Sequence, residues 1–146
     1  MRDDYSHLVG HRFPGGRARV DDWLDALWCD ATLSERHPPH AHPGLAYVAC
    51  LEGSGVSIQD LFDLMEADAD SGAMFGEQRL EYLAPVVIGR DYEVEGEVTS
   101  VVRKHGRRAG TFDMLTFVLR LREPGAAEPA VVNTNTFIFP RPEAAA

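Results

Sequence analysis

The sequence predicts a single α+β domain in which an antiparallel sheet is wrapped around a central helix. Three observations lead there. The segment 55–67 places Ile58, Leu61, Phe62 and Met65 at i, i+3, i+4 and i+7, with Asp60, Asp63 and Glu66 on the other side, which is the mark of an amphipathic helix. The half of the chain that follows is built of alternating segments separated by glycine and proline turns. With 146 residues and 45% hydrophobic content, the chain suits one domain with one core. A helix followed by a run of strands packs as a helix layer on an antiparallel sheet.

Each element can be justified in order. Residues 1–19 are polar, glycine-rich and basic, with Phe13-Pro14-Gly15-Gly16 as a turn signal, and predict an arm that is extended or lies against the body. The domain proper is expected over 20–139. Residues 20–28 predict a short helix capped by Asp21 or Asp22, with Trp23, Leu24, Leu27 and Trp28 on one face. In 30–44, Pro38, Pro39, Pro43 and Gly44 exclude a long helix. This loop also holds His37, His40 and His42. Gly53-Ser54-Gly55 then opens the helix 55–67, which ends before Gly72.

Four strands are expected after it. The first is 79–87, with Pro85 marking an edge or a bulge. In 92–102, Tyr92, Val94, Val98 and Val102 point one way, and Glu93, Glu95, Glu97 and Thr99 the other. Gly106 and Gly110 bracket a hairpin leading to 112–121, where Leu115, Phe117, Leu119 and Leu121 share a face. Pro124-Gly125 turns the chain into 131–139, and 140–146 reads as a frayed tail.

Composition narrows the function. A net charge of −9 makes the chain a poor general binder of nucleic acid, because phosphates are repelled. The dense basic patch is Arg103, Lys104, His105, Arg107 and Arg108. Cys29 and Cys50 lie among apolar neighbours and are expected to be reduced core residues. No apolar run approaches the roughly 20 residues that span a bilayer, and no charged-then-apolar leader opens the chain. The expectation is a cytoplasmic protein without a membrane or nucleic-acid partner.

The stretch Gly76-Glu77-Gln78-Arg79-Leu80-Glu81-Tyr82-Leu83-Ala84-Pro85-Val86-Val87-Ile88-Gly89-Arg90-Asp91 is similar to the segment that follows the central helix in MaoC-like acyl dehydratases, G-E-Q-x-x-x-Y-x-x-P, leading into G-D and a strand. Arg90 spreads the family's G-D by one residue. The likeness covers roughly residues 30–139 and implies the hotdog fold of that family. The family's active-site segment reads L-S-G-D-x-N-P-x-H-x-D-P. Leu33-Ser34-Glu35-Arg36-His37-Pro38-Pro39-His40-Ala41-His42-Pro43 resembles it with one glycine fewer. Glu35 falls on the catalytic aspartate and His40 on the catalytic histidine, with the same four residues between them. His37 replaces the asparagine.

What this resemblance implies is a hydro-lyase that needs no cofactor. A carboxylate and an imidazole hold one water, which adds across a 2-enoyl thioester or leaves from the (R)-3-hydroxyacyl form. Glu35 and His40 would be the acid–base pair, and a histidine suits such work because its ordinary pKa of about 6.5 lies near neutral pH. The thioester oxygen gains charge as the reaction proceeds. A helix amino end offers N–H groups at such a point. Gly55 and Val56, with Ser57 beside them, are therefore expected to bind the thioester, with His37 as a further substrate contact.

Other readings stand beside this one. A second reading is a catalytically degenerate subunit that binds acyl groups or completes a heteromeric dehydratase, the acids and bases lying on a partner. A hotdog thioesterase would also use a carboxylate near the helix start. The spacing His37-x-x-His40-x-His42 with Glu35 matches no common zinc motif, and no metal is expected. The Arg103–Arg108 patch is either a seat for coenzyme A phosphates or a solvated hairpin tip. The substrate carrier is coenzyme A or acyl carrier protein. Exposed sheet edges predict pairing with a second hotdog subunit, identical or different.

Overall fold

In the computed structural model, residues 4–141 are described, and they form a five-stranded antiparallel sheet with three helices on one face. The strands are β1 (Gly16–Arg19), β2 (Met74–Tyr82), β3 (Asp91–Gly106), β4 (Gly110–Arg122) and β5 (Val131–Arg141), in the spatial order β1-β3-β4-β5-β2. The helices are α1 (Asp22–Ala31), α2 (Leu45–Gly53) and α3 (Ile58–Leu64). Among the described residues no helix is long and apolar enough to cross a membrane.

The central helix is α2, and its sequence Leu45-Ala46-Tyr47-Val48-Ala49-Cys50 is apolar almost all round, as a helix enclosed by its own sheet requires. Leu45, Ala46, Ala49 and Cys50 are buried against Leu115, Phe117, Leu119 and Leu121 of β4 and Val131 and Phe139 of β5 in a single core. Gly53 closes α2 where a side chain has no room. A Cβ there would lie 2.4 Å from Val94 Cγ2. This placement corrects the expectation of a central helix over 55–67. α3 is shorter, starts at Ile58 behind the Ser57–Asp60 capping box, and covers one end of the sheet through Leu61 and Met65.

Other elements also shift for physical reasons. α1 does not bury the Trp23–Leu27 stripe. Trp23 and Leu27 are exposed, and the helix turns Asp25 and Cys29 inward instead. α1 ends with Leu33 at φ 53°, a left-handed position that glycine usually fills, and Ser34 N–H closes the turn onto Cys29 O at 2.8 Å. β2 starts earlier than the predicted strand, bulges between Phe75 and Glu77, and ends before Pro85. Glu77 and Gln78 are therefore strand residues. A bulge in β3 between Val98 and Ser100 moves every later side chain by one face, so Val101 packs on the core and Val102 is exposed.

The amino-terminal arm lies against the body, with Tyr5, Leu8 and Phe13 buried, and contributes β1 to the sheet. β5 runs on to Arg141, so the first two residues of the predicted tail are strand, and 142–146 lie outside the described residues. Cys29 and Cys50 are buried and free. Burial pushes the Cys50 thiol up to about 12.

Candidate active site

The loop 32–44 leaves α1 and leads directly into the amino end of α2. Two anchors give it its shape. The first is Asp25, fully buried on α1. Its Oδ1 accepts the His42 N–H at 2.7 Å and its Oδ2 accepts Arg36 Nε at 3.1 Å. Arg36 also reaches the Asp22 carboxylate. Hydrogen bonds to Asp22 and then Asp25 push the guanidinium above its ordinary range. The second anchor is the chain after β2: Ala41 N–H donates to Val86 O and Ile88 N–H to Pro39 O, both at 2.8 Å, and His40 bridges to Val87. Tyr92, at the start of β3, holds that chain in turn by accepting Val87 N–H at its hydroxyl, 2.9 Å away.

Between the anchors lies a groove of about 630 Å³. His37, His40 and Pro43 form one wall; Tyr82, Leu83 and Pro85 form the other. The Tyr82 hydroxyl donates to Pro43 O at 2.8 Å across the groove floor. Burial, and then the nearby Cys50, push the Tyr82 phenol above its ordinary value. The groove opens at the amino end of α2, where the helix dipole presents partial positive charge.

The sequence-expected residues divide between two places. His37 and His40 share the groove wall, and both are exposed. Glu35 is exposed as well, but it is not a wall residue. Among the described residues no hydrogen bond or ion pair joins it to His40, and its backbone carbonyl accepts a long contact from Cys29 Sγ at 3.8 Å. His42 turns away from the groove: Gly44 N–H donates to its Nδ1 at 3.0 Å, which leaves the ring hydrogen on Nε2, 3.3 Å from Ser34 Oγ. The three loop histidines therefore do not converge.

Gly55, Val56 and Ser57 do not open the buried helix, and this corrects the premise on which they were expected to bind the thioester. They follow the carboxyl end of α2, about 13 Å from its start at 1.5 Å per residue. Val56 N–H lies 3.2 Å from Ser54 Oγ, and Ser57 is used in capping α3. Val56 and Ser57 instead line a second, apolar groove of about 250 Å³ under α2 and α3. The basic hairpin 106–110 is at the far end of β3 from the His40 groove, and Arg103 is held by Asp113 at 2.8 Å.

Sequence reasoning missed three groups of the site. Asp25 and Arg36 were given no role, since only the fold shows that Asp25 faces inward. Tyr82 stood in the family-like stretch but had no role until its hydroxyl was seen on Pro43 O.

No protein-family model and no curated protein matches the chain. Solved structures do. The ChsH1–ChsH2 complex from Mycobacterium tuberculosis contains a chain that is similar with a TM-score of 0.73 at 15% identity, covering 97% of this chain and 89% of that one. The HadBC (3R-hydroxyacyl-ACP dehydratase) complex from the same organism gives 0.67 at 15% identity, over 94% and 99%. A MaoC-like dehydratase from Rhodospirillum rubrum gives 0.53 at 19% identity, over 92% and 94%. At these identities the likeness establishes architecture. The chain has the hotdog fold of the MaoC-like dehydratases.

Proposed function

We propose that this chain is a MaoC-like subunit of an acyl-thioester hydratase or dehydratase, completed by a second hotdog chain. The reaction adds water across a 2-enoyl thioester, the hydroxyl going to the β-carbon and a proton to the α-carbon, or runs in reverse. His40 is the residue of this chain that meets the thioester. It stands exposed on a groove wall at the positive end of α2, where charge developing on the thioester oxygen is stabilised.

The observation that carries the two-chain reading is the separation of the expected pair. His37 and His40 line the groove, whereas Glu35 lies off its wall. A water shared between acid and base needs both within about 2.6–3.2 Å. A partner carboxylate supplies what Glu35 does not. Two of the similar structures are complexes of two differently named chains, which fits this reading.

The test is the loss of enoyl absorbance from crotonyl-CoA. The purified chain alone is expected to be inactive, and activity should appear on adding a second hotdog chain that co-purifies with it from its own cells. In that complex His40→Ala should lower kcat by about 10²–10⁴-fold, the usual contribution of a positioned acid–base group. Full activity of the isolated chain, abolished by Glu35→Ala, would replace this reading with an autonomous Glu35–His40 enzyme. Release of free thiol would instead make it a thioesterase.

A further inference from the structure

The second groove holds a buried polar group that the proposed chemistry does not use. Its walls are apolar, with Leu51 from α2, Ile58 and Leu61 from α3, and Phe75, Phe117 and Phe137 from the sheet. Its polar members are Tyr47, Ser57 and Asn135 of β5, and Asn135 is the buried one, 1% exposed. Asn133 precedes it by two and so faces the same side, and both are buried. The other core-facing positions of β5 include Val131, Phe137 and Phe139.

Neither amide is satisfied. Asn135 Nδ2 reaches Asn133 O at 3.5 Å, while its Oδ1 has no hydrogen-bond partner. Asn133 Oδ1 accepts Gln78 Nε2 at 3.4 Å, while its Nδ2 has no partner. Two successive buried amides with orphaned atoms weaken a core strand that apolar side chains would fill without such cost. Unsatisfied groups of this kind mark a place where a ligand completes the hydrogen bonding.

We propose that this groove takes the distal part of an acyl chain bearing a hydroxyl group, and that Asn135 reads that hydroxyl. The free atom on Asn135 is an acceptor, so the ligand must donate. A hydroxyl supplies the missing donor, its hydrogen completing Asn135 Oδ1. A site built around such a bond rejects the analogue lacking it more strongly than it discriminates by size. The inference rests on the acyl-thioester reading above. The loop from His40 enters α2, and from Pro43 to Leu51 the chain rises about 12 Å at 1.5 Å per residue. The hydroxyl recognised is therefore well removed from the carbons that react.

Calorimetric titration of the two-chain complex tests this with dodecanoyl-CoA and its mid-chain and ω-hydroxy derivatives, which are saturated and do not turn over. At least one hydroxy derivative should bind about tenfold more tightly than dodecanoyl-CoA, the worth of one good hydrogen bond. Asn135→Leu should erase the preference while leaving dodecanoyl-CoA binding at least as strong. Equal binding of all the acyl-CoAs to the unaltered complex, or a preference unchanged in Asn135→Leu, overturns the inference and leaves the acyl-thioester reading intact. Failure of every acyl-CoA to bind overturns both. If Asn135→Leu does not fold, the comparison on the unaltered complex alone decides.

Discussion

At the scale of single residues, the loop's shape depends on Asp25 more than on any residue that touches the groove. One buried carboxylate fixes two points of the loop, the His42 amide and the Arg36 guanidinium, on either side of His37 and His40. Asp25→Ala should lower stability by about 2–3 kcal/mol, since it orphans a buried N–H and a charge-assisted bond. Thermal unfolding checks this. Asp25→Asn keeps an acceptor for His42 but loses the charge on Arg36. It should leave folding nearly intact and reduce hydratase turnover of the two-chain complex about tenfold or more, because a loosened loop no longer holds His40 in place. Unchanged turnover would show that the loop does not need this anchor. None of this was legible in the sequence. Glu35, His37 and His40 were found there because a spacing of residue types can be matched to a pattern. Asp25 carries no pattern; what makes it unusual is burial, and burial belongs to the fold.

At the scale of elements, β3, β4 and β5 were legible, β2 was displaced, and β1 and the central helix were missed. Alternation marks a strand whose two faces differ in burial, and β3, β4 and β5 each turn one face to the core and leave the other half-buried or exposed, so they were placed within a few residues. α2 is buried or half-buried except at Leu51 and Glu52 near its carboxyl end. Its run of small and apolar residues has no polar stripe to set the period, and the neighbouring amphipathic segment drew the assignment instead. The bulge in β3 escaped notice for a related reason, since one inserted residue changes the facing of Val101 and Val102 without changing composition. The far ends of three strands are tied by Asp113, which is 2% exposed and accepts from Arg103 of β3 at 2.8 Å and Arg141 of β5 at 2.7 Å. Burial alone would push its carboxyl up. The hydrogen bonds and charges of Arg103 and Arg141 outweigh that and hold it below its ordinary 3.8. A carboxyl lowered in the folded state stabilises fully above the unfolded value, and that stability is lost as pH falls through 3.8 toward the folded value. Acid titration of unfolding should therefore show stability falling below about pH 4, and Asp113→Asn should flatten that limb while lowering stability at neutral pH. An acid limb of unchanged slope in the variant would remove Asp113 from this account.

At the scale of the whole molecule, the fold ends in an edge that invites a partner. β2 pairs with β5 on one side only, and Met74, Phe75, Tyr82 and Leu83 are exposed along and just beyond it. The opposite edge, β1, is four residues long and carries Arg17 and Arg19, as an edge protected from pairing does. The long edge of β2, apolar at its two ends, also borders both grooves through Phe75 and Tyr82, so a second sheet added there would enclose them. Light scattering at micromolar concentration should find two hotdog subunits per particle, and the double variant Met74→Glu, Leu83→Glu should release a single chain. A monomeric unaltered protein that still turns over crotonyl-CoA would refute the shared site. The most direct test is a crystal structure of the two-chain complex with butyryl-CoA, which cannot be hydrated. It should place the thioester carbonyl within about 3 Å of His40, with a partner carboxylate across the groove. A thioester seated away from loop 32–44, at the basic hairpin or on open sheet, would contradict the assignment.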